Sequence, residues 1–175
     1  GWWGRDDRIL YPLPKQSELT PDYCSPILII GATGTLGKAF ARTCQQRNIY
    51  YVSLTRGELN LNDPVQIEEI IRLYKPWAVI NAAGFVRVDD AEIEYEDCFL
   101  SNTAGPGNLA DLCMTYNIKF MTFSSDLVFD GQKMAAYDED DTVNPLNVYG
   151  ASKAQAEQEV LTKNPKALVV RTSAF

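Results

Sequence analysis

The chain has 175 residues, 46% of them hydrophobic and 22% charged, enough for one domain with a buried core and too few for two full ones. A net charge of −7 and a pI near 4.6 argue against a nucleic-acid surface or a basic membrane-binding face. Histidine is absent, which excludes Ser-His-Asp and Cys-His machinery and removes the commonest metal ligand, so no metal site is expected. Cys24, Cys44, Cys98 and Cys113 form no CxxC pair and read as reduced thiols of an intracellular protein. No apolar run approaches the ~20 residues of a membrane span and nothing resembles a cleaved signal, so a cytoplasmic location is expected.

Residues 1–25 carry three prolines and scattered charges, with neither strand nor helix period. Trp2, Trp3, Ile9, Leu10 and Tyr11 are too apolar for a solvated linker, so an irregular arm, lying on a surface or joining an upstream domain, is expected there. From Pro26 strands and helices alternate. Ile27–Ile30 is a short, β-branched apolar run ending at Gly31, which predicts a buried strand. Helix is predicted from about Thr35 to Arg47, and strand over Tyr50–Leu54. Asp63-Pro64 supplies an N-cap and a proline at the first helical position, and Ile67, Ile70, Ile71 and Tyr74 then share one face. Trp77–Ile80 is the third strand, ending at Asn81. Ala91 to Tyr116 reads as mostly helical with an interruption near Asn102–Pro106. Ile118–Phe123 is the fourth strand, a polar loop leads to a helix from about Val148 to Lys163, and Leu168–Arg171 is the fifth strand. This alternation predicts an α/β chain: a Rossmann-type doubly wound parallel sheet over 26–175, three-layer α/β/α, with ligands bound beyond the carboxyl ends of the strands.

Gly31, Gly34 and Gly37 stand between the first strand and the first helix, in GATGTLG. Such spacing lets the chain turn sharply, bring backbone close to a pyrophosphate and pack the helix on the sheet. The N–H groups and positive helix end of Gly31, Thr33, Gly34, Thr35, Leu36 and Gly37 then form an anion site. A second constellation is Tyr149-Gly-Ala-Ser-Lys153, which places Tyr149 and Lys153 on one helix face. A free phenol titrates near ~10, and a neighbouring ammonium is expected to lower that value. The pair could then deliver a proton to a carbonyl oxygen as hydride reaches the carbon. A Tyr–Lys pair at this spacing also occurs in helices with no such role, so its meaning comes from its company.

That company is ordered: GATGTLG, then NAAG at Asn81–Gly84, SSD at Ser124–Asp126, and YGASK at Tyr149–Lys153. Together these resemble the short-chain dehydrogenase/reductase superfamily. The finer text, NAAGFVRVDDAE, FSSDLVFDG and PLNVYGASKAQAE, resembles the dTDP-4-dehydrorhamnose reductase family over about Pro26 to Phe175. The resemblance implies Tyr149 as catalytic acid/base and Lys153 as its partner and ribose ligand. It implies Ser125 as hydrogen-bond donor to the substrate carbonyl, and Asn102 as support for the lysine and a relay water. Asn81, Ala82, Ala83 and Gly84 would line the cofactor, and Asp126 would approach substrate hydroxyls. Leu127 stands where this family usually has tyrosine, and Asn60 where an aspartate is common near the adenine.

The acid that holds a ribose 2′-OH normally lies ~20 residues beyond the glycine loop. Here that stretch is SLTRGEL, where Arg56 suits a 2′-phosphate and the strand end has no aspartate, so NADP(H) is favoured while Glu58 keeps NAD(H) open. The implied activity is reduction of a keto-deoxysugar nucleotide. Members of this family continue into a smaller substrate domain, which is expected to be absent here, so the chain by itself is expected to be inactive. A related epimerase or dehydratase, or a non-catalytic NADP-binding regulatory subunit, are the competing readings. A homodimer and a fused upstream domain, of glycosyl-hydrolase type, stay open.

Overall fold

A computed structural model describes residues 25–173, so all but the last residue of the expected arm at 1–25, Cys24 included, lies outside the described residues. Five parallel strands form one sheet: β1 (Ile27–Ile30), β2 (Tyr51–Leu54), β3 (Ala78–Asn81), β4 (Lys119–Phe123) and β5 (Leu168–Val170), in the order β2-β1-β3-β4-β5. All four residues of β1 are buried, as expected of a central strand made only of isoleucine and leucine. Ile30 stands opposite Leu54 on one side and Asn81 on the other, and Asn81 opposite Thr122. The carboxyl ends of β1, β3 and β4 therefore finish level. The chain leaves β1 toward β2 and returns past it to β3, which opens a crevice between those strand ends.

Side-chain alternation sorts the helices into layers. Leu28, Ile30, Val79 and Phe120 point to one face, where they meet Ile67 and Ile71 of α2 (Pro64–Tyr74), Leu109 and Cys113 of α4 (Gly105–Thr115), and Val160 of α5 (Val148–Lys163). Ile27, Ile29 and Ala78 point to the other, against Phe40, Ala41 and Cys44 of α1 (Thr35–Gln46). The three-layer order holds, with the layers unequal among the described residues. Each large aliphatic side chain taken fully out of water contributes ~1.5–3 kcal/mol, so the multi-helix face carries most of the core. Asp63 accepts from the Val65 and Gln66 N–H groups, capping α2 as its sequence predicts.

The stretch after β3 differs from expectation. Asp90–Glu92 is a single 3₁₀ turn, α3 (Tyr95–Phe99) follows, and Leu100–Ala104 is a π-helical turn running straight into α4. The expected interruption at Asn102–Pro106 is a widening of the helix rather than a break. Pro106 falls where the π turn passes into α4, so the N–H it lacks coincides with the change from the wider to the ordinary helical hydrogen-bond pattern. β2, β3 and β4 each start one residue later than expected, and β5 ends at Val170 instead of Arg171, differences within the fraying of element ends. Cys44, Cys98 and Cys113 are free and buried, and burial pushes the Cys113 thiol up to about 12. No helix among the described residues is long and apolar enough to cross a membrane.

Candidate active site

The glycine loop is shaped by two contacts that leave no room for side chains. Gly31 has φ +91°, and a Cβ there would lie 2.7 Å from the Ala82 carbonyl carbon and the Ala83 nitrogen. A Cβ on Gly37 would lie 2.1 Å from the Gly31 carbonyl oxygen. The loop after β1 is thus pressed between the loop after β3 and the first turn of α1. No side chain caps α1 at Gly34 and no acid stands in its first turn, so its positive end is open to an anion.

A cleft of about 580 Å³ opens there. Of the expected cofactor residues, Gly31, Thr33, Gly34, Arg56, Ala82, Ala83 and Gly84 line it. Thr35, Leu36 and Gly37 form the first turn of α1 at its edge. Asn81 lies behind, its side chain buried: its Nδ2 donates to Thr122 Oγ1 at 3.1 Å, and its Oδ1 accepts from the Ala83 N–H at 3.2 Å. It braces the loop that Ala82–Gly84 present. Glu58 is turned away from the role a ribose-binding acid would have. Its Oε2 accepts from the Thr55 N–H at 2.8 Å and Thr55 Oγ1 at 2.7 Å, and these two bonds hold its carboxyl below the usual range. Asn60 lines the cleft, with its Oδ1 accepting from the Asn62 N–H.

Past the end of β4, Ser125, Tyr149 and Lys153 come together. Lys153 is 8% exposed, its Nζ donates to the Phe123 carbonyl at 3.1 Å and lies 5.8 Å from the centre of the Tyr149 ring. Burial pushes this ammonium down to about 8, against smaller opposing effects of Cys98 and Glu157. The expected lowering of the Tyr149 phenol is not what this site gives. Burial raises it, Cys98 and Asp126 add to the rise, and a hydrogen bond with Ser125 works the other way. The reason is the loss of water around a half-buried phenol, which disfavours the anion before any substrate is present. Ser125 Oγ also accepts from the Leu127 N–H and donates to Asp126 Oδ1, both at 3.1 Å. Ser124 has a buried hydroxyl with no partner among the described residues.

Asn102 sits in the π turn, 1% exposed, and the structure does not bond it to Lys153. Its Oδ1 accepts from the Phe85 N–H at 2.8 Å, while its Nδ2 donates to the Phe85 carbonyl at 3.1 Å and Ser152 Oγ at 3.0 Å. It therefore ties the loop after β3 to the helix that carries Tyr149 and Lys153. Ser152 was not among the expected site residues. Its hydroxyl donates to the Tyr149 carbonyl at 2.7 Å, and its own carbonyl accepts from Thr103 Oγ1 at 2.8 Å. Its place inside YGASK was the only sequence signal for it.

A second cleft, of about 590 Å³, lies at the start of the Tyr–Lys helix and is lined by Asp126, Leu127, Tyr137, Asn147 and Arg171. Its wall is held by Arg171, which donates to Glu157 at 2.9 and 2.7 Å and to the Glu139 carbonyl at 3.3 Å. Asp126, expected to meet substrate, faces this second cleft. Among the described residues no group of three or more acidic or thiol side chains could hold a metal ion.

The chain matches the model of the RmlD substrate binding domain over residues 25–175. It is 38% identical over 148 residues to the dTDP-4-dehydrorhamnose reductase of Aggregatibacter actinomycetemcomitans, which covers 84% of this chain and 50% of that protein. The crystal structure of a dTDP-4-dehydrorhamnose reductase from Clostridium acetobutylicum is similar with a TM-score of 0.80 and 32% identity, over 83% of this chain and 52% of that one. That of the Bacillus anthracis dTDP-4-dehydrorhamnose reductase in complex with NADP gives 0.81 and 30%, over 85% and 53%. The chain spans about half the length of these relatives. With its four ordered motifs gathered at one end of a parallel sheet, the chain belongs to the RmlD substrate binding domain family, among the dTDP-4-dehydrorhamnose reductase-like extended short-chain dehydrogenase/reductases.

Proposed function

We propose that this chain is the cofactor-holding half of a reductase that acts on a dTDP-4-keto-6-deoxysugar, using NADPH, with Tyr149 as proton donor. The observation that carries the reading is the meeting of Ser125, Tyr149 and Lys153 at the end of β4, beside the glycine-lined cleft. The cleft suits a phosphorylated dinucleotide. Gly31 and Gly37 let backbone pack where a Cβ would clash, the α1 end is uncapped, and Arg56 faces the cleft while Glu58 is committed to Thr55. The NADP complex of the Bacillus anthracis relative supports NADP(H) ahead of NAD(H).

NADPH, when bound, would supply the hydride that reduces the carbonyl carbon. Ser125 would hold the carbonyl oxygen by a hydrogen bond, and the Tyr149 phenol would give that oxygen its proton, so that a hydroxyl results. Because burial keeps the phenol protonated, Tyr149 is stocked for donation throughout the neutral range. The phenolate left behind is stabilised by the Lys153 ammonium and regains its proton from solvent. Lys153 would also hold the ribose hydroxyls, and Asn102 and Ser152 keep the helix start in place.

The test is NADPH oxidation by the full-length protein with dTDP-4-keto-6-deoxyglucose or its epimerised product. Turnover is expected, and Tyr149→Phe should lower it by ~10²-fold or more while leaving NADPH affinity nearly unchanged. Firm NADPH binding with no turnover of either sugar by the wild type would overturn the reductase reading in favour of a regulatory NADP-binding role.

A further inference from the structure

The π turn sends three consecutive residues to three different places. Asn102 reaches the Phe85 loop and Thr103 the Ser152 carbonyl, both toward the catalytic helix. Ser101 points the other way, into the glycine-lined cleft, where its Oγ accepts from Arg56 Nη2 at 3.1 Å across 45 residues of sequence. A turn widened to i→i+5 displaces side chains from ordinary helical positions, and such turns are frequent at functional sites.

The surroundings give this contact its meaning. Two cations line the cleft, Arg56 and Arg87. Arg87 is committed: it pairs with Asp90 at 2.6 Å and Glu94 at 2.7 Å and lies over the Phe85 ring. None of the ion pairs among the described residues involves Arg56. Two carboxylates, Glu94 and Asp97, line the same cleft and would draw a free guanidinium toward themselves. A neutral hydroxyl holds Arg56 without neutralising it. It also leaves the serine O–H free to donate to an anion beside the guanidinium.

We propose that Ser101 is a second determinant of cofactor choice: its hydroxyl holds Arg56 across the cleft, and the two together receive the 2′-phosphate of NADP(H). The inference rests on the cofactor reading given above and adds to it a residue on the other wall of the cleft. Holding the long arginine in place before the ligand arrives reduces the ordering that binding must otherwise impose. The effect falls on the phosphorylated nucleotide alone, because NADH offers nothing for this pair to hold.

The test is calorimetric titration of the chain with NADPH and with NADH. Ser101→Ala should weaken NADPH by roughly three- to tenfold, as for loss of one hydrogen bond, and leave NADH within about twofold. Ser101→Thr, which keeps the hydroxyl, should restore the wild-type ratio. In an Arg56→Ala background, Ser101→Ala should cost NADPH distinctly less than it does alone, the mark of a coupled pair. Unchanged NADH affinity reports that the variant is folded. A Ser101→Ala chain that keeps its preference for NADPH, or loses both nucleotides equally, overturns the assignment while leaving the cofactor reading intact. A wild-type chain that binds neither nucleotide overturns both.

Discussion

Lys153 is where burial and function pull in opposite directions. The proposed mechanism needs its ammonium charged, beside the phenol, yet its surroundings push its pKa down from 10.5 to about 8. Binding of NADPH that depends on this charge should weaken as pH rises through about 8, as the ammonium loses its proton. Folding stability should move the other way over the same window. A lysine whose folded pKa lies below its unfolded value binds fewer protons folded than unfolded between the two, so stability rises with pH from about 8 toward 10. Tyr149, whose phenol is raised by burial, opposes this rise only as pH approaches 10, where the unfolded phenol begins to ionise while the folded one does not. The measurement is paired: NADPH affinity and urea stability of the chain between pH 7 and 10, with Lys153→Met as reference. The variant should lose most NADPH affinity, lose the pH dependence of both curves, and unfold at higher urea near neutral pH. A wild-type affinity that is flat to pH 9 would remove the Lys153 charge from binding. The residues concerned were legible from YGASK alone, but the direction of the Tyr149 shift was not. Spacing on a helix reveals which groups are neighbours, and says nothing of how much water each has lost.

At the scale of elements, the strand–loop–helix unit around β1 was read closely because its requirements are local. An apolar strand, three glycines and a helix with no cap leave few ways for the backbone to run. Gly37 is the tightest point, with the Gly31 carbonyl oxygen 2.1 Å from where its Cβ would be. Gly37→Ala must therefore push α1 off the loop or the loop off the strand. Nucleotide affinity should fall by ~100-fold or more, the equivalent of ~2.7 kcal/mol, and the chain should be less stable as well. Nucleotide titration and thermal unfolding of the variant check both, and an alanine variant with wild-type affinity would show that the loop is not held as described. The helix after β3 was the harder element. Its apolar spacing is compatible with an α-helix throughout, so the π turn at Leu100–Ala104 left no mark in the periodicity. What decides it is tertiary: Asn102 is drawn to Phe85 and Ser152, and Thr103 to the Ser152 carbonyl, at separations of 17 to 50 residues. Ser101 stayed invisible for the same reason.

For the whole molecule, the two clefts differ in the elements that wall them. The glycine-lined cleft draws on the loops after β1, β2 and β3 and on the π turn. The second is walled by the loop after β4 and by Arg171–Ser173 beyond β5, and Leu146 in its lining is exposed. This chain also covers only about half the length of its reductase relatives. A sugar nucleotide held here would have Ser125, Asp126 and Tyr149 near its carbonyl but few groups for its base and diphosphate. Accurate positioning of reactants can lower a barrier by ~7–11 kcal/mol, so losing most of it takes turnover below detection. Prepared as a separate polypeptide, the 175-residue chain should bind NADPH, because every loop of the first cleft is present, and should fail to reduce dTDP-4-keto-6-deoxyglucose or its epimerised product. Calorimetry followed by an absorbance assay with saturating nucleotide separates the two properties. Robust turnover by the chain alone would show that the substrate is held within these residues, most directly by the second cleft between Asp126 and Arg171.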